Sequence, residues 1–392
     1  MIKNVKAKAA VIGMGHSRVY RRAEEPLGKL AVDAAREAIK NAGLKISDID
    51  GITTAPMFPA DGTPPVEGMT FVGTGYMTKS LGLTPTYADQ GFFMVTQAFV
   101  QAVNAVAAGN AKHVLVFRAL YNPDGRYGRA LATVAAGDGQ FGAPYGLSFV
   151  AVAAMLIQRY MHKYGATREQ LGRFIVRNRD NGLKWPHGYW ANYRPERLTL
   201  DDYMNARMIC SPLTVYDCDL PIQGVGAFVL TSPERAVGLV DSPAYVLGTA
   251  ISPVAYSGTY GSGFGDLLEY YQEVGRALGR NLWADAGIDV KDIDIANLYD
   301  GFSMLTPLWA EALGFCGEGE GFAWIADPDK PLNPAGGSLG AGRMHGIAHL
   351  MECCLQVTGR AGERQIPDAR YSVATMATVQ LGGGIVFGRE PG

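Results

Sequence analysis

In the stretch "NPAGGSLGAGRMHGIAHLME", residues 333–352, Arg343 and His345 follow a run of small residues just where a helix should begin. A turn needs neither a guanidinium nor an imidazole. Together they offer a permanent cation and a group that exchanges protons near neutral pH. Gly336, Gly337, Gly340 and Gly342 permit positive φ and let backbone amides come close to a ligand. At a helix amino terminus the local field opposes protonation, so His345 is expected to act as a neutral base or donor. Arg343 suits an oxyanion or a phosphate better than proton transfer. A purely structural reading, in which both side chains cap or pair locally, competes with this one.

A phenol and a carboxylate stand together in "NLYDGF", as Tyr299 and Asp300. Tyr299 can donate to an oxyanion or shuttle a proton, or it can be an ordinary buried tyrosine. Asp300 is expected to orient a neighbour or a loop. Tyr256 lies in "VAYSGTYGSGFGD", residues 254–266, a glycine/serine loop that could close over a substrate or be a plain surface loop. His345 and His349 sit four apart with Glu352 and Cys353 beyond, yet no HExxH pattern or second ligand cluster accompanies them, so no metal is expected. "GMGHS", residues 13–17, follows a strand but is not GxGxxG, which argues against a dinucleotide site.

The elements that must hold these residues come in duplicate. "AGLKISDIDGITTAPMF" from Ala42 and "AGIDVKDIDIANLYDGF" from Ala286 both read as a helix end, a glycine stop, an acidic loop and a strand. Before them, "AAVIGMGHS" (9–17) and "AYVLGTAIS" (244–252) read as strands, each followed by a helix, at 28–42 and 264–285. The expected fold is α/β: a duplicated, five-layer αβαβα arrangement with two mixed, mainly parallel sheets around central helices, with two independent doubly wound domains as the alternative. Residues 1–121 with 224–242 form the first half and residues 243–392 the second. Residues 122–223 match neither half. They are dense in cations and aromatics, among them Arg159, Lys163, Arg173, Arg177, Arg179, Trp185 and Trp190, and read as an insertion that either binds a phosphate-bearing ligand or forms a solvated cap.

The chain has 392 residues, of which 48% are hydrophobic and 18% charged, so it can build a large core. A net charge of −2 and the lack of any basic tract exclude broad attraction to nucleic acid or anionic membranes. No apolar run approaches a membrane span, and the five cysteines form no CxxC pair. Reduced thiols and a cytoplasmic location are expected.

Three stretches carry a resemblance: "LYDGFS", "NPAGGSLGAGRMHG" and "VQLGGGIVFG". They resemble the NEAF-like box, the GGxxxxGHPxGA-like loop and the CxGGG-like turn of the thiolase superfamily, along essentially the whole chain. Residues 197–221, "RLTLDDYMNARMICSPLTVYDCDLP", also resemble the sterol-carrier-type thiolases. The departures are telling. Phe92 stands where the nucleophilic cysteine is usual, Gln380 where the second cysteine is usual, and Arg343 where the GHP imidazole is usual. Acyl transfer through a thioester enzyme intermediate is therefore not expected.

What remains is similar to the thiolase-fold aldolases of steroid and sterol side-chain degradation. That resemblance implies retro-aldol cleavage of a β-hydroxyacyl-CoA to a ketone or aldehyde plus a short acyl-CoA such as propionyl-CoA or acetyl-CoA. No cofactor is implied, since CoA is part of the substrate. Tyr299, His345, Asp300 and Arg343 are the implied catalytic set, and Phe92, Tyr256, Gly337, Gly340, Gln380 and Gly383 the implied substrate-binding set. The family also implies a homodimer bound to a small partner with a zinc ribbon and an OB-like domain. Two rival readings stay open: another CoA-dependent acyltransferase of this superfamily, and a non-catalytic lipid-binding subunit.

Overall fold

The computed structural model describes residues 6–57, 59, 64–91, 95–122, 145, 149–252 and 267–392, so Phe92 and Tyr256 lie outside the described residues. Nine strands make one mixed sheet: β1 (Ala9–His16), β2 (Gly51–Thr54), β3 (Tyr87–Gln90), β4 (His113–Tyr121), β5 (Gln223–Thr231), β6 (Ala244–Ile251), β7 (Ile295–Asn297), β8 (Tyr371–Met376) and β9 (Gly383–Gly388). Their order is β3-β2-β4-β5-β1-β6-β9-β8-β7. The main helices are α1 (Leu27–Asn41), α2 (Val95–Ala107), α3 (Phe149–Tyr164), α4 (Arg168–Gly182), α5 (Leu267–Ala286), α6 (Leu305–Leu313), α7 (Gly337–Ala341) and α8 (Ile347–Val357).

The glycines of "GMGHS" have a packing reason. A Cβ at Gly13 or Gly15 would collide with the backbone oxygens of Ala38 or Ala34, so α1 seats directly on β1. Along β1 the residues alternate: Ala10 and Ile12 join the core under α1 and α5, whereas Ala9 and Val11 join the core under α2 and α8. The sheet is thus buried on both faces. The repeat is plain in the structure. After α1 come Gly43 at φ +70°, a 3-10 turn at Ile46–Asp48 and β2; after α5 come Gly287 at φ +72°, a 3-10 turn at Val290–Asp292 and β7.

The halves of the sheet meet edge to edge, since Ala9, Ala10 and Val11 pair antiparallel with Val246, Tyr245 and Ala244. Parallel pairing, expected to predominate, is among the described residues confined to β3-β2-β4 and β7-β8. The centre is antiparallel because β9 returns from β8 through a tight turn and β5 returns from the insertion. Phe99 of α2 packs edge-to-face on Phe228 of β5 (5.6 Å) and on Phe387 of β9 (5.9 Å), tying the halves together. Burial of one such ring is worth about 3 kcal/mol.

Residues 149–222 pack into the rest of the molecule through their cations. Arg159 and Lys163 of α3 pair with Glu269, Arg173 pairs with Glu169, Arg177 donates to the carbonyls of Ile325 and Asp327, and Arg179 stacks 3.6 Å over Trp190. The cations read as a phosphate-binding surface are thus engaged by the protein's own groups.

Candidate active site

Asp300 follows β7 and is fully buried. The N–H of Ser338 donates to its Oδ1 at 2.6 Å, and the N–H of Leu339 to its Oδ2 at 3.1 Å. Asn178 Nδ2 of α4 adds a bond to Oδ2 at 2.9 Å, and His349 Nε2 of α8 one to Oδ1 at 3.1 Å. The carboxylate therefore gathers the glycine loop, the insertion and α8 at one point. Gly337, at φ +59°, must be glycine because a Cβ there would collide with this carboxylate. Gly340 is pressed on the carbonyl of Asn178 in the same way. Both glycines serve close approach of protein to protein, where the sequence suggested approach to a ligand.

His345 precedes α8, capped by Gly346 at φ +92°, and itself adopts φ +50°. A non-glycine residue in that region is held there by its surroundings. The setting is an arginine that sequence reasoning missed. Arg118 of β4 is fully buried, its Nη1 donates to the carbonyl of Ala55 at 2.7 Å, and its Nη2 lies 3.0 Å from His345 Nδ1. The signal was available: one charge in the apolar strand "HVLVFRALY", on the face shared with Val114, Val116 and Leu120. Burial holds the imidazole well below its ordinary range, and Arg343 and Arg118 add to the effect. Two guanidiniums and desolvation thus do what the helix terminus was expected to do.

Tyr299 is buried, and its N–H donates to Thr375 Oγ1 at 2.9 Å. Its ring meets His345 edge-to-face at 6.4 Å and lies 5.7 Å from His349. Gly301 makes room for the phenol, since a Cβ there would stand 2.5 Å from Tyr299 Oη. The N–H of Asp219 donates to the carbonyl of Gly301 at 3.3 Å, and Asp219 Oδ2 lies 3.4 Å from Arg343 Nε. Burial pushes the Asp219 carboxyl up to about 7 against the pull of Arg343, with Asp300 adding to the rise. Asp219 was passed over in the sequence because "VYDCDLP" offers no acid/base spacing.

The structure thus brings Tyr299, His345, Asp300 and Arg343 to one place. Gln380 is buried in the turn between β8 and β9, and Gly383 opens β9 against Thr96 of α2. Residues weighed as metal ligands are drawn elsewhere: Glu352 pairs with Arg364 at 2.9 Å, and Cys353 lies 3.2 Å from Asn297 Nδ2. Among the described residues no group of His, Cys, Asp or Glu is placed to hold a metal. None of the thiols with a perturbed pKa is activated: burial pushes Cys353 and Cys316 up to about 12, and Cys218 and Cys354 are raised as well.

Known proteins resemble this chain along its length. A 17-hydroxy-3-oxo-4-pregnene-20-carboxyl-CoA lyase of Mycobacterium tuberculosis is 30% identical over 400 residues, which cover 98% of this chain and 100% of that protein. A steroid side-chain-cleaving aldolase of Thermomonospora curvata is 32% identical over 405 residues, covering 97% and 98%. The chain belongs to the thiolase-like side-chain-cleaving aldolases. Residues 268–385 match the family model described as thiolase C-terminal domain-like. The solved structure of an Ltp2-ChsH2(DUF35) aldolase superposes with a TM-score of 0.83 at 29% identity over 98% of each chain. Among the described residues no helix is long and apolar enough to cross a membrane.

Proposed function

We propose that this member of the family is a carbon–carbon lyase that cleaves a steroid β-hydroxyacyl-CoA by a retro-aldol reaction. A base takes the β-hydroxyl proton, the Cα–Cβ bond breaks, and its electron pair moves onto the thioester as an enolate. A ketone or aldehyde leaves, and a proton delivered to Cα completes a short acyl-CoA. The thioester already stabilises the carbanion, so no covalent enzyme intermediate is needed. Donors fixed on the enolate oxygen in a dry site contribute roughly 3 kcal/mol each.

One observation carries the reading. A buried, neutral imidazole and a phenol meet edge-to-face beside Arg343, and none of the perturbed thiols is activated. Tyr299 and His345 form the acid/base pair, with the imidazole as a neutral base or hydrogen-bond donor. Arg343 steadies negative charge, and Asp300 holds the loop that carries them. Gln380 and Gly383 bound the substrate site, Phe92 and Tyr256 are its further expected members, and Gly337 and Gly340 shape the loop beside it. The five free cysteines fit a reducing, cytoplasmic setting. A homodimer bound to a small DUF35-type partner, with an OB-like domain and a zinc ribbon, is the working assembly. The solved structure of similar fold, named as an Ltp2-ChsH2(DUF35) aldolase, supports a partner of the DUF35 kind.

The test is incubation of the full chain, with and without a DUF35-type protein, with a 17-hydroxy steroid C20-carboxyl-CoA ester. Release of the 17-ketone and propionyl-CoA is expected; its absence under both conditions overturns the reading. Tyr299→Phe and His345→Ala are expected to lower kcat by about 100-fold or more. Full activity in either would remove that residue from the pair.

A further inference from the structure

We propose that Arg118 is a positioning residue for this reaction: it locks His345 in the tautomer that carries its proton on Nε2, so the imidazole works as a hydrogen-bond donor and never as the base. Arg118 Nη2 lies 3.0 Å from His345 Nδ1. A guanidinium has no lone pair to offer and keeps its protons in proteins, so Nδ1 must be the acceptor in this contact. The proton of the neutral ring then sits on Nε2.

The surrounding fold keeps the contact in place. Arg118 cannot swing away easily, because Nη1 is bonded to the Ala55 carbonyl at 2.7 Å and Nη2 rests 3.8 Å from Met57 Sδ. Across the ladder, Arg118 faces Gly226 of β5. A Cβ at Gly226 would collide with Ile347, and one at Gly224 would stand 2.7 Å from Met344 Sδ. Glycines at alternate positions of β5 therefore let the 344–347 turn descend onto the sheet and bring the ring to the arginine. Among the described residues, Arg343 and Arg118, both cations, act on His345. An imidazolium there would be repelled by two guanidiniums, which with burial keeps the ring neutral.

The consequence divides the acid/base pair. His345 directs Nε2–H at the enolate oxygen and keeps its proton throughout. Tyr299 does the proton work: its phenolate form takes the β-hydroxyl proton, the Cα–Cβ pair moves onto the thioester, and the phenol returns the proton to Cα. Protons and electrons balance over the cycle. This catalytic meaning rests on the lyase reading above, whereas the tautomer does not depend on it.

The deciding measurement is the ¹⁵N spectrum of the imidazoles in the full chain, with His345→Gln assigning the signal among the six histidines. An unprotonated Nδ1 and a protonated Nε2 are expected, unchanged as the pH falls through about 6.5, where a free imidazole titrates. A proton on Nδ1, or titration near that pH, overturns the proposal even if no Arg118 variant folds. Arg118→Met is expected to lower kcat by roughly 10-fold or more with little change in KM, to mix the tautomers, and to bring an acid limb into the pH–rate profile. Arg118→Lys, which keeps a charged donor, should recover much of that loss. Lost activity with an unchanged tautomer and pH profile would make Arg118 merely structural. The expected tautomer without turnover of any steroid CoA ester would instead sink the lyase reading and leave the contact standing.

Discussion

Asp300 and Asp219 are buried carboxylates on either side of Gly301, and they are treated in opposite ways. Asp300 receives backbone N–H groups from Ser338 and Leu339, an amide from Asn178 and an imidazole from His349. Asp219 faces one guanidinium edge at 3.4 Å, and among the described residues its Oδ2 finds no hydrogen-bond donor. Equal burial therefore gives unequal chemistry. A carboxylate surrounded by donors is an anchor that fixes the backbone around it. One that is desolvated and thinly paired tends to hold a proton near neutrality, as Asp219 does with its carboxyl pushed up to about 7. The anchor sits under the glycine loop, and the proton-holding carboxyl lies beside Arg343.

Removing the anchor should have the largest effect. Asp300→Ala leaves several buried donors without their acceptor and is expected to cost about 3 to 5 kcal/mol, with activity lost. Thermal unfolding would show a melting temperature lower by several degrees; an unchanged one would refute the anchoring role. Next comes Gly301, which both carboxylates flank. Gly301→Ala introduces a Cβ 2.5 Å from Tyr299 Oη and should displace the phenol. A fall in kcat of about 10- to 100-fold is expected, with near-normal melting since the Asp300 bonds remain. Unchanged turnover would show that the phenol does not need its present place.

The smallest effect concerns Asp219 and depends on pH. Its folded-state value of about 7 exceeds the unfolded 3.8, so the folded protein binds the extra proton between them. The associated stability is present below the lower value and is lost as the pH rises through the upper one. Asp219→Asn, which cannot ionise, should gain on the natural protein by at least about 1 kcal/mol between pH 5 and pH 8 in urea unfolding. A stability difference that ignores pH would show that Asp219 is not the proton-holding carboxyl.

Much of this was readable in the chain. The helix–glycine–3-10–strand unit recurs at 27–54 and 267–297 because caps, turns and apolar strands are local signals. Tyr299, Asp300, Arg343 and His345 stood out because polar groups beside glycines at element ends are unusual locally as well. The pairings were another matter. That the sheet halves join through Ala9–Val11, and that its centre is antiparallel, follows from contacts far apart in sequence.

The sequence by itself determined the elements, the duplication and the absence of thiols from the usual thiolase positions. These depend on residue type and on neighbours within a few positions. Only the tertiary structure decided what each polar group is for. It set Arg118 against His345 across 227 positions and four donors around Asp300 from α4, α7 and α8. Whether a buried imidazole or carboxylate holds a proton depends on which charges and donors share its dry surroundings, and those neighbours are supplied by the fold.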